Sequence, residues 1–244
     1  MAYKYNADTH NSIDPEIIVP ILIDFFNPVS VVDIGCGTGN FLSEFKKLGV
    51  KSVLGVDGDT NSNNLRIKNI VADEFQLEDL NQQFHLGRKF DIALCLEVGE
   101  HLNEKSAEIL ISTLVNCSDV IIFSAAIPLQ GGQYHLNEQW QTYWNNKFSQ
   151  FQYQPIDLIR PIIWDNEKVS YWYRQNIIVY ILKSSKYNYL LESGDIKIWD
   201  LVHPINYLNH ANYLQNILGG KSPLKLYIYL LYKYIKNLFI KSNE

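Results

Sequence analysis

Short runs rich in valine and isoleucine alternate with helix-like patterns along the first half of the chain. Amphipathic patterns at 39–48 and 104–115 lie between these runs. When helices connect successive strands, the strands pair in parallel and the helices cover both faces of the sheet. The pattern therefore predicts an α/β domain. The five predicted strands are Ser30–Ile34, Ser52–Val56, Ile67–Ala72, Phe90–Leu96 and Val120–Phe123.

The pattern changes after Trp144, where two strand-like runs, QPIDLIRPIIW and QNIIVYILK, flank a polar turn at 165–168. Strands joined by a turn pair antiparallel, so this pair is predicted to close one edge of the sheet. We place the main domain at residues 1–183, with an acceptor-site insert at about 125–150. A C-terminal helical extension follows at 184–244.

The extension ends in SPLKLYIYLLYKYIKNLFIKSNE, which predicts a helix starting near Pro223. Its helical wheel separates a basic face from an apolar face. Such a helix packs on its own domain, packs in a homodimer, or lies on a membrane surface as a peripheral contact. We expect packing. The basic face holds Lys225, Tyr229, Tyr232, Lys233 and Lys236, and the apolar face holds Tyr227, Ile228, Leu231, Tyr234, Ile235, Leu238 and Phe239.

Composition and charge narrow the classes of function. A chain of 244 residues, 47% of them hydrophobic, can bury one large core. Its formal net charge of −5 argues against nucleic acid as a partner, because proteins that bind phosphate backbones are usually basic. The three cysteines stand alone in or beside apolar runs, and no apolar run is long enough to cross a membrane. We therefore expect a soluble, cytoplasmic protein with reduced thiols.

A glycine-rich turn, DIGCGTGNF, follows the first predicted strand. Glycines at 35, 37 and 39 let the backbone turn tightly and approach a ligand at the start of the next helix. A dinucleotide-binding turn would have its third glycine one residue later. With Asp33 before it, this spacing resembles motif I of the class I S-adenosylmethionine (SAM) dependent methyltransferases. SAM carries an ammonium group and no pyrophosphate, and an acid at Asp33 suits that ammonium.

Acidic residues after the next strands agree with this resemblance. It implies that Asp57, in GVDGD, accepts the ribose hydroxyls and that Asp73, in VADEF, receives the adenine amino group. It also implies a Rossmann-like, doubly wound sheet of seven strands, mostly parallel with the last strand antiparallel. The cofactor would be SAM and its product S-adenosylhomocysteine (SAH). The implied cofactor-binding residues are Asp33, Gly35, Cys36, Gly37, Asp57, Gly58, Asp73, Glu74 and Leu96.

The segment after the fourth predicted strand reads CLEVGEHL, with Glu97, Glu100 and His101 at spacings that share one face of a helix. This ExxEH pattern resembles a subset of the family that includes ubiquinone-type and small-RNA 2′-O-methyltransferases. In some of that subset these side chains hold a divalent cation with a further histidine after strand five, and His135 follows strand five here. Magnesium or manganese would suit such ligands. Packing around SAM is the other interpretation, and we predict no metal.

The loop GQYHLNEQW follows the fifth predicted strand, where the family places the acceptor beside the SAM sulfonium. A sugar hydroxyl is a poor nucleophile at neutral pH, and a positioned histidine can remove its proton. We predict His135 as that base, with His101 and Glu97 near the acceptor. For Trp144 we prefer a place in the core. The predicted substrate-binding residues are Tyr134, Asn137, Glu138 and Arg174.

Two segments, HLNEQWQTYW and IRPIIWDNEKVSYWYRQNIIVY, are similar to bacterial methyltransferases of surface-polysaccharide biosynthesis. The resemblance implies O-methylation of a sugar or a nucleotide-linked sugar. Arg160 or Arg174 would meet a phosphate, or else tie the strand pair to the sheet. A small phenol or natural-product hydroxyl or amine is the alternative acceptor, and RNA is disfavoured by the charge. A non-catalytic SAM-binding partner subunit is the alternative from another class.

Overall fold

The computed structural model describes residues 12–58, 69–192 and 200–241. The chain divides into two compact units, Met1–Leu201 and Val202–Glu244. The expected boundary between residues 183 and 184 differs from this division. Residues just after 183 pack with the first unit, since the Tyr187 hydroxyl donates to the Phe26 carbonyl at 2.8 Å.

The first unit is built around one mixed sheet. Its strands are β1 (Ser30–Ile34), β2 (Ser52–Asp57), β3 (Phe75–Leu77), β4 (Ile92–Leu96), β5 (Val120–Ser124), β6 (Tyr153–Ile156) and β7 (Ile178–Leu182). They lie in the order β3-β2-β1-β4-β5-β7-β6. Neighbours among β1 to β5 pair in parallel, and β7 pairs antiparallel with both β5 and β6. The Rossmann-like, doubly wound sheet of seven strands is confirmed.

Helices cover both faces of this sheet. Those of the first unit are α1 (Ile13–Phe26), α2 (Asn40–Lys47), α3 (Ser106–Cys117), α4 (Gln141–Ser149), α5 (Arg160–Ile163), α6 (Tyr171–Asn176) and α7 (Tyr189–Glu192). Alternate β1 side chains enter different cores, with Val31 on the α1 and α2 side and Val32 on the α3 side. Trp144 is buried beside Phe123, with ring centroids 4.9 Å apart, so its predicted place in the core is confirmed.

The third predicted strand, Ile67–Ala72, is wrong. Residues 69–71 are irregular, Ala72–Glu74 forms a 3₁₀ turn, and β3 begins only at Phe75. Residues 67 and 68 lie outside the described part of the chain. The isoleucine and valine residues just before β3 gave that segment the apolar pattern of a strand. β3 itself is short, its residues are partly exposed, and it pairs only with β2.

The antiparallel pair is confirmed, but its strands are shorter than the apolar runs. Between β6 and β7 the chain forms α5 and α6, so the run QPIDLIRPIIW is strand at its start and helix at its end. Arg160, at the start of α5, is buried and pairs with Asp157, and its Nη1 donates to the Gln175 carbonyl at 3.1 Å. These contacts join α5 to the residue just after β6 and to α6, and neither partner lies in a strand.

The second unit contains α8 (Pro204–Leu218) and α9 (Leu224–Lys241). Pro223 directly precedes α9, as the sequence predicts. The Tyr227 hydroxyl on α9 donates to the carbonyl of Ile217 at 2.8 Å and accepts from the Ser222 amide at 3.2 Å, which fixes the turn between the helices. Within the described residues, no helix is long and apolar enough to cross a membrane.

Candidate active site

A cavity of about 1000 Å³ opens at the carboxyl ends of β1, β2 and β4. In a doubly wound sheet this edge is where ligands bind, because the strand order reverses there and leaves a crevice. The glycine-rich turn forms part of its wall, and its glycines at 35, 37 and 39 all have positive φ. From the predicted cofactor set, the lining includes Asp33, Gly35, Cys36, Gly37, Asp57, Gly58 and Leu96.

Gly35 is the glycine of this turn that the surrounding structure most strongly requires. Its φ is +83°, and a Cβ added there would lie 2.3 Å from a γ-carbon of Val98. Both the backbone conformation and the space exclude a side chain. The turn therefore packs directly on the segment that follows β4, which places the glycine-rich turn beside the acidic residues after β4.

Asp33 and Asp57 place two buried carboxylates on the cavity wall. The Asp57 Oδ2 accepts a hydrogen bond from the Gly37 amide at 2.8 Å. Burial, together with the negative charge of Asp57, raises the pKa of Asp33 to about 7. Because two buried carboxylates destabilise each other's charged forms, the site favours a ligand with a cationic group. The ammonium of SAM is such a group. These residues fit the expected cofactor.

The adenine end of the expected site differs from the sequence prediction. Asp73 and Glu74 precede β3, and neither lines the cavity. Glu74 instead pairs with Lys46 at 2.6 Å and accepts from the Val71 amide at 2.9 Å. Because β3 begins later than predicted, the residues after it occupy the cavity edge. They are Asp79, Leu80 and Asn81, which sequence reasoning missed.

Glu97 follows β4 in an unusual backbone conformation, with φ of +55°. Its amide donates to the Ser124 carbonyl at 2.9 Å, and its carboxylate accepts from Asn176 at 3.1 Å and from Gln130 at 3.3 Å. Non-glycine residues in this conformation are strained and persist where the surroundings hold them. The network therefore fixes the Glu97 carboxylate in the cavity.

The predicted helix through Glu97, Glu100 and His101 is wrong in form. Only Gly99–His101 is helical, as a 3₁₀ turn, and Glu97 lies before it. All three side chains nevertheless line the cavity. Burial raises the pKa of both glutamates, and the neighbouring charge of Glu97 raises that of Glu100 further. Two such carboxyl groups favour sharing a proton or binding a cation.

Glu138 organises the loop after β5. Its carboxylate accepts hydrogen bonds from the amides of Leu129 and Gly131, both at 2.8 Å. The same carboxylate lies 2.8 Å from Nδ1 of His135, and both side chains are largely buried. When Nδ1 carries the proton and donates to Glu138, Nε2 is left as the basic nitrogen.

The imidazole of His135 is also held by its packing. It contacts the His101 ring edge to face, with centroids 4.9 Å apart. A Cβ added to Gly132 would lie 2.1 Å from Nε2 of His135, so the ring occupies space that only a glycine leaves open. The sequence GGQYH thus brings a histidine against its own loop and fixes the direction of the ring.

Three side chains could hold a metal ion. One ligand atom each from Glu100, His101 and His135 lies within 4.8 Å of the others. Both carboxylate oxygens of Glu100 are buried, and Glu97 and the Ala126 backbone lie beside them. Carboxylate and imidazole ligands suit magnesium, manganese or zinc, and Glu138 would orient His135 as carboxylates orient metal-bound histidines.

The predicted substrate-binding residues divide into two groups. Tyr134 lines the cavity and is 44% exposed. Asn137, Glu138 and Arg174 are absent from the lining among the described residues. Asn137 is buried, Glu138 serves the loop, and Arg174 is buried with its Nη1 on the Trp164 carbonyl at 3.2 Å. This contact joins α6 to the residue just after α5, within the segment between β6 and β7.

Sequence reasoning missed three further residues of the cavity wall, Asp14, Gln130 and Tyr171. Asp14 from α1 lines it, and the Asp14 carboxylate accepts from the amide and hydroxyl of Ser170, both at 2.7 Å. Tyr171 and Trp172 from α6 and Gln130 from the loop after β5 also line it. No local pattern links residue 14 to residue 170, so only the fold reveals this contact.

A family model described as a methyltransferase domain matches residues 14–157, which is more than half of the chain. No curated protein matches significantly. Three solved structures illustrate the similarity in fold. The methyltransferase domain of bacterial CtHen1-C is 20% identical, with 70% of this chain and 97% of that chain covered and a TM-score of 0.52.

Magnesium protoporphyrin IX methyltransferase (ChlM) from Synechocystis PCC 6803, with bound SAH, is 17% identical. The match covers 74% of this chain and 90% of that chain, with a TM-score of 0.51. The sugar N-methyltransferase KedS8 from Streptoalloteichus sp ATCC 53650 is 12% identical over 74% of this chain and 96% of that chain, with a TM-score of 0.52. These similarities show the fold, and the bound SAH agrees with SAM as its cofactor.

Proposed function

The chain belongs to the methyltransferase domain family, and on this basis we propose that it transfers a methyl group from SAM to a hydroxyl of a sugar or nucleotide-linked sugar. The setting that we propose is cytoplasmic synthesis of surface polysaccharide. The observation that carries the proposal is the pair of His135 and Glu138, because it supplies an oriented base beside the cofactor cavity. The three buried, free cysteines agree with a reducing compartment.

The cofactor side of the site supports the donor. SAM supplies an electrophilic methyl group on a positively charged sulfur. Asp33 would hold its ammonium, Asp57 its ribose and Asp79 its adenine end, each from the wall of one cavity. The Gly35 turn allows the close approach that a side chain would block.

The acceptor side supports transfer to oxygen. The acceptor hydroxyl oxygen bonds to the methyl carbon while the carbon–sulfur bond breaks, and the bonding electron pair stays on sulfur. The hydroxyl proton passes to Nε2 of His135. Glu138 fixes the tautomer and stabilises the imidazolium that forms, as carboxylates do in other histidine-based sites. Orientation of donor and acceptor supplies much of the rate.

The shape and chemistry of the acceptor side favour a polyhydroxylated ring. Tyr134, Tyr171 and Trp172 offer flat aromatic faces, and Gln130 and Asp14 offer hydrogen-bonding groups at the same cavity. Flat faces combined with two-headed polar groups suit sugars, whose rings have an apolar face and a hydroxyl rim. A phenol would use the aromatic faces and would make little use of these polar groups.

A second mechanism is suggested by Glu100, His101 and His135, since one ligand atom of each lies within 4.8 Å of the others. In this alternative the three residues would hold a divalent cation, with His135 as one of its ligands, and the cation would supply Lewis-acid chemistry for the acceptor hydroxyl. The donor and the acceptor class stay the same.

The test is transfer of labelled methyl from SAM to sugar nucleotides, small phenols and RNA, with magnesium, with manganese and with EDTA. We expect transfer to a sugar nucleotide that EDTA leaves unchanged. Loss of transfer in EDTA, restored by one of the metals, would replace the base mechanism by the metal mechanism. Transfer only to phenols or RNA would contradict the acceptor class. Tight SAM binding without transfer to any acceptor would favour a non-catalytic partner subunit.

A further inference from the structure

The second unit presents an apolar stripe on α9 to solvent. Leu224, Ile228, Leu231 and Ile235 recur at spacings of four, three and four residues and share one face of the helix. Their side chains are 73%, 60%, 58% and 43% exposed. On α8, Tyr207, Leu214 and Leu218 are exposed in the same way. Contiguous exposed apolar side chains on this scale mark an interaction surface.

The charge of this unit is opposite to that of the rest of the chain. The whole chain has 21 lysines and arginines and 26 acids, and residues 202–244 contain five lysines and one acid, Glu244. The unit therefore carries +4, and residues 1–201, with 16 basic and 25 acidic residues, carry −9. No acid occurs between residues 202 and 241. The α9 apolar stripe is thus flanked only by positive charge.

We propose that α9 lies on an anionic membrane surface, with its apolar stripe in the lipid headgroup boundary and its lysines against the lipid phosphates. Amphipathic helices with a basic polar face bind in this way, and tyrosines are suited to the same boundary because their rings are apolar and their hydroxyls polar. The helix carries four tyrosines, at 227, 229, 232 and 234. It lies along the surface and does not cross it, since no described helix could span a bilayer.

A second copy of the chain is the competing occupant, and the charges disfavour it. Pairing two copies of α9 would bring together two sets of lysines at 225, 233, 236 and 241. Helices that pair in water usually place acids opposite such lysines, and this segment has none to offer. An anionic lipid surface supplies the missing counter-charge, which is why it is the occupant that we choose.

The turn between the helices supports a preformed binding element. Tyr227 fastens the end of α8 to the start of α9 through its hydroxyl, with bonds to Ile217 and Ser222. A hairpin fixed in this way presents α9 without the need to fold on the membrane. The proposal is independent of the acceptor, so that its test needs no methyl transfer.

The experiment is co-sedimentation of the full chain with vesicles of phosphatidylcholine containing one quarter phosphatidylglycerol, and with pure phosphatidylcholine vesicles. We expect binding to the anionic vesicles to be at least about tenfold tighter. Since each lysine near an anionic surface contributes about a fivefold factor, Lys233→Gln with Lys236→Gln should weaken it by about 25-fold. Ile228→Gln with Leu231→Gln should weaken binding to both kinds of vesicle.

The matched control is Lys51→Gln with Lys105→Gln, which removes two exposed lysines from the first unit and should leave binding unchanged. SAM binding and circular dichroism report whether each variant is folded. Equal losses in the α9 and control lysine pairs would overturn the proposal. The proposal would also be overturned if the chain did not sediment with either kind of vesicle and light scattering showed a dimer. In that case the Ile228 and Leu231 changes would dissociate the dimer.

Discussion

The cofactor side and the acceptor side of the cavity are built in different ways. On the cofactor side the backbone does most of the shaping, through a turn with positive φ at Gly35 and an amide that fixes Asp57. On the proposed acceptor side, side-chain hydrogen bonds do most of the shaping, since Glu138 holds the amides of its own loop and Asn176 holds Glu97 from 79 positions away. The cofactor side therefore depends mainly on backbone conformation, and the proposed acceptor side depends mainly on side-chain hydrogen bonds.

The separation between the two sides of the cavity is tested most strongly by a change at His135. Replacing it by alanine removes the proposed base and should lower kcat by about 10²–10⁴-fold, with the Kd for SAM unchanged. Steady-state kinetics and SAM titration measure the two effects separately. His85→Ala is the control, because that histidine is exposed and does not line the cavity. A parallel loss of SAM affinity would mean that the two sides are not separable.

A smaller effect should follow from moving the His135 ring without removing it. In Gly132→Ala the new methyl group would meet Nε2, so we expect kcat to fall by up to about 10²-fold, as misplaced catalytic groups do. Gly131→Ala strains the same loop but adds a methyl group to open space. If kcat falls equally in both variants, general damage to the loop is the cause and the ring contact is not.

On the cofactor side, Asp33→Asn should weaken SAM binding by about tenfold, as loss of a charged partner does, and leave kcat nearly unchanged. The wild type should bind SAM less tightly as the pH falls below about 7. The pKa of Asp33 in the protein without SAM is about 7, and the SAM ammonium binds better to the ionised carboxylate than to the protonated one. Isothermal titration across pH 6–8 measures this slope. A slope that persists in Asp33→Asn would assign it to another group.

The smallest effect concerns the two candidate residues for the adenine end. Asp79→Asn should weaken SAM binding by about fivefold, the effect of one hydrogen bond, whereas Asp73→Asn should change it less than twofold. Asp79 lines the cavity and Asp73 does not. A larger loss of SAM affinity in Asp73→Asn than in Asp79→Asn would support Asp73, the residue that the sequence pattern favoured.

These differences explain how far the sequence alone could predict the molecule. Local patterns predicted the sheet and the glycine-rich turn, because strand periodicity and turn chemistry are short-range properties. The third strand was misplaced because β3 is a short edge strand with a weak apolar pattern, and for this reason the expected acid, Asp73, lies before β3 and away from the cavity lining. The tie between Asp14 and Ser170 spans 156 positions, and no local signal encodes it.

The role of Glu138 shows the same limit on the acceptor side. Its polar neighbourhood suggested a ligand for the substrate, and the structure instead uses it to hold two loop amides and His135. A carboxylate placed three residues after a histidine can serve either purpose. Only the folded loop, with the positive φ of Leu129 and Gly131, brings both amides to one carboxylate.

The most direct test of the account is the identity of the methylated atom. Carbon-13 NMR of the products formed from SAM labelled in its methyl group, with a panel of sugar nucleotides, distinguishes methyl on oxygen from methyl on nitrogen or carbon. The account predicts an O-methyl resonance on a sugar ring that disappears with His135→Ala and persists with His85→Ala. An N-methyl product, or an O-methyl product that His135→Ala still forms at the wild-type rate, would contradict it.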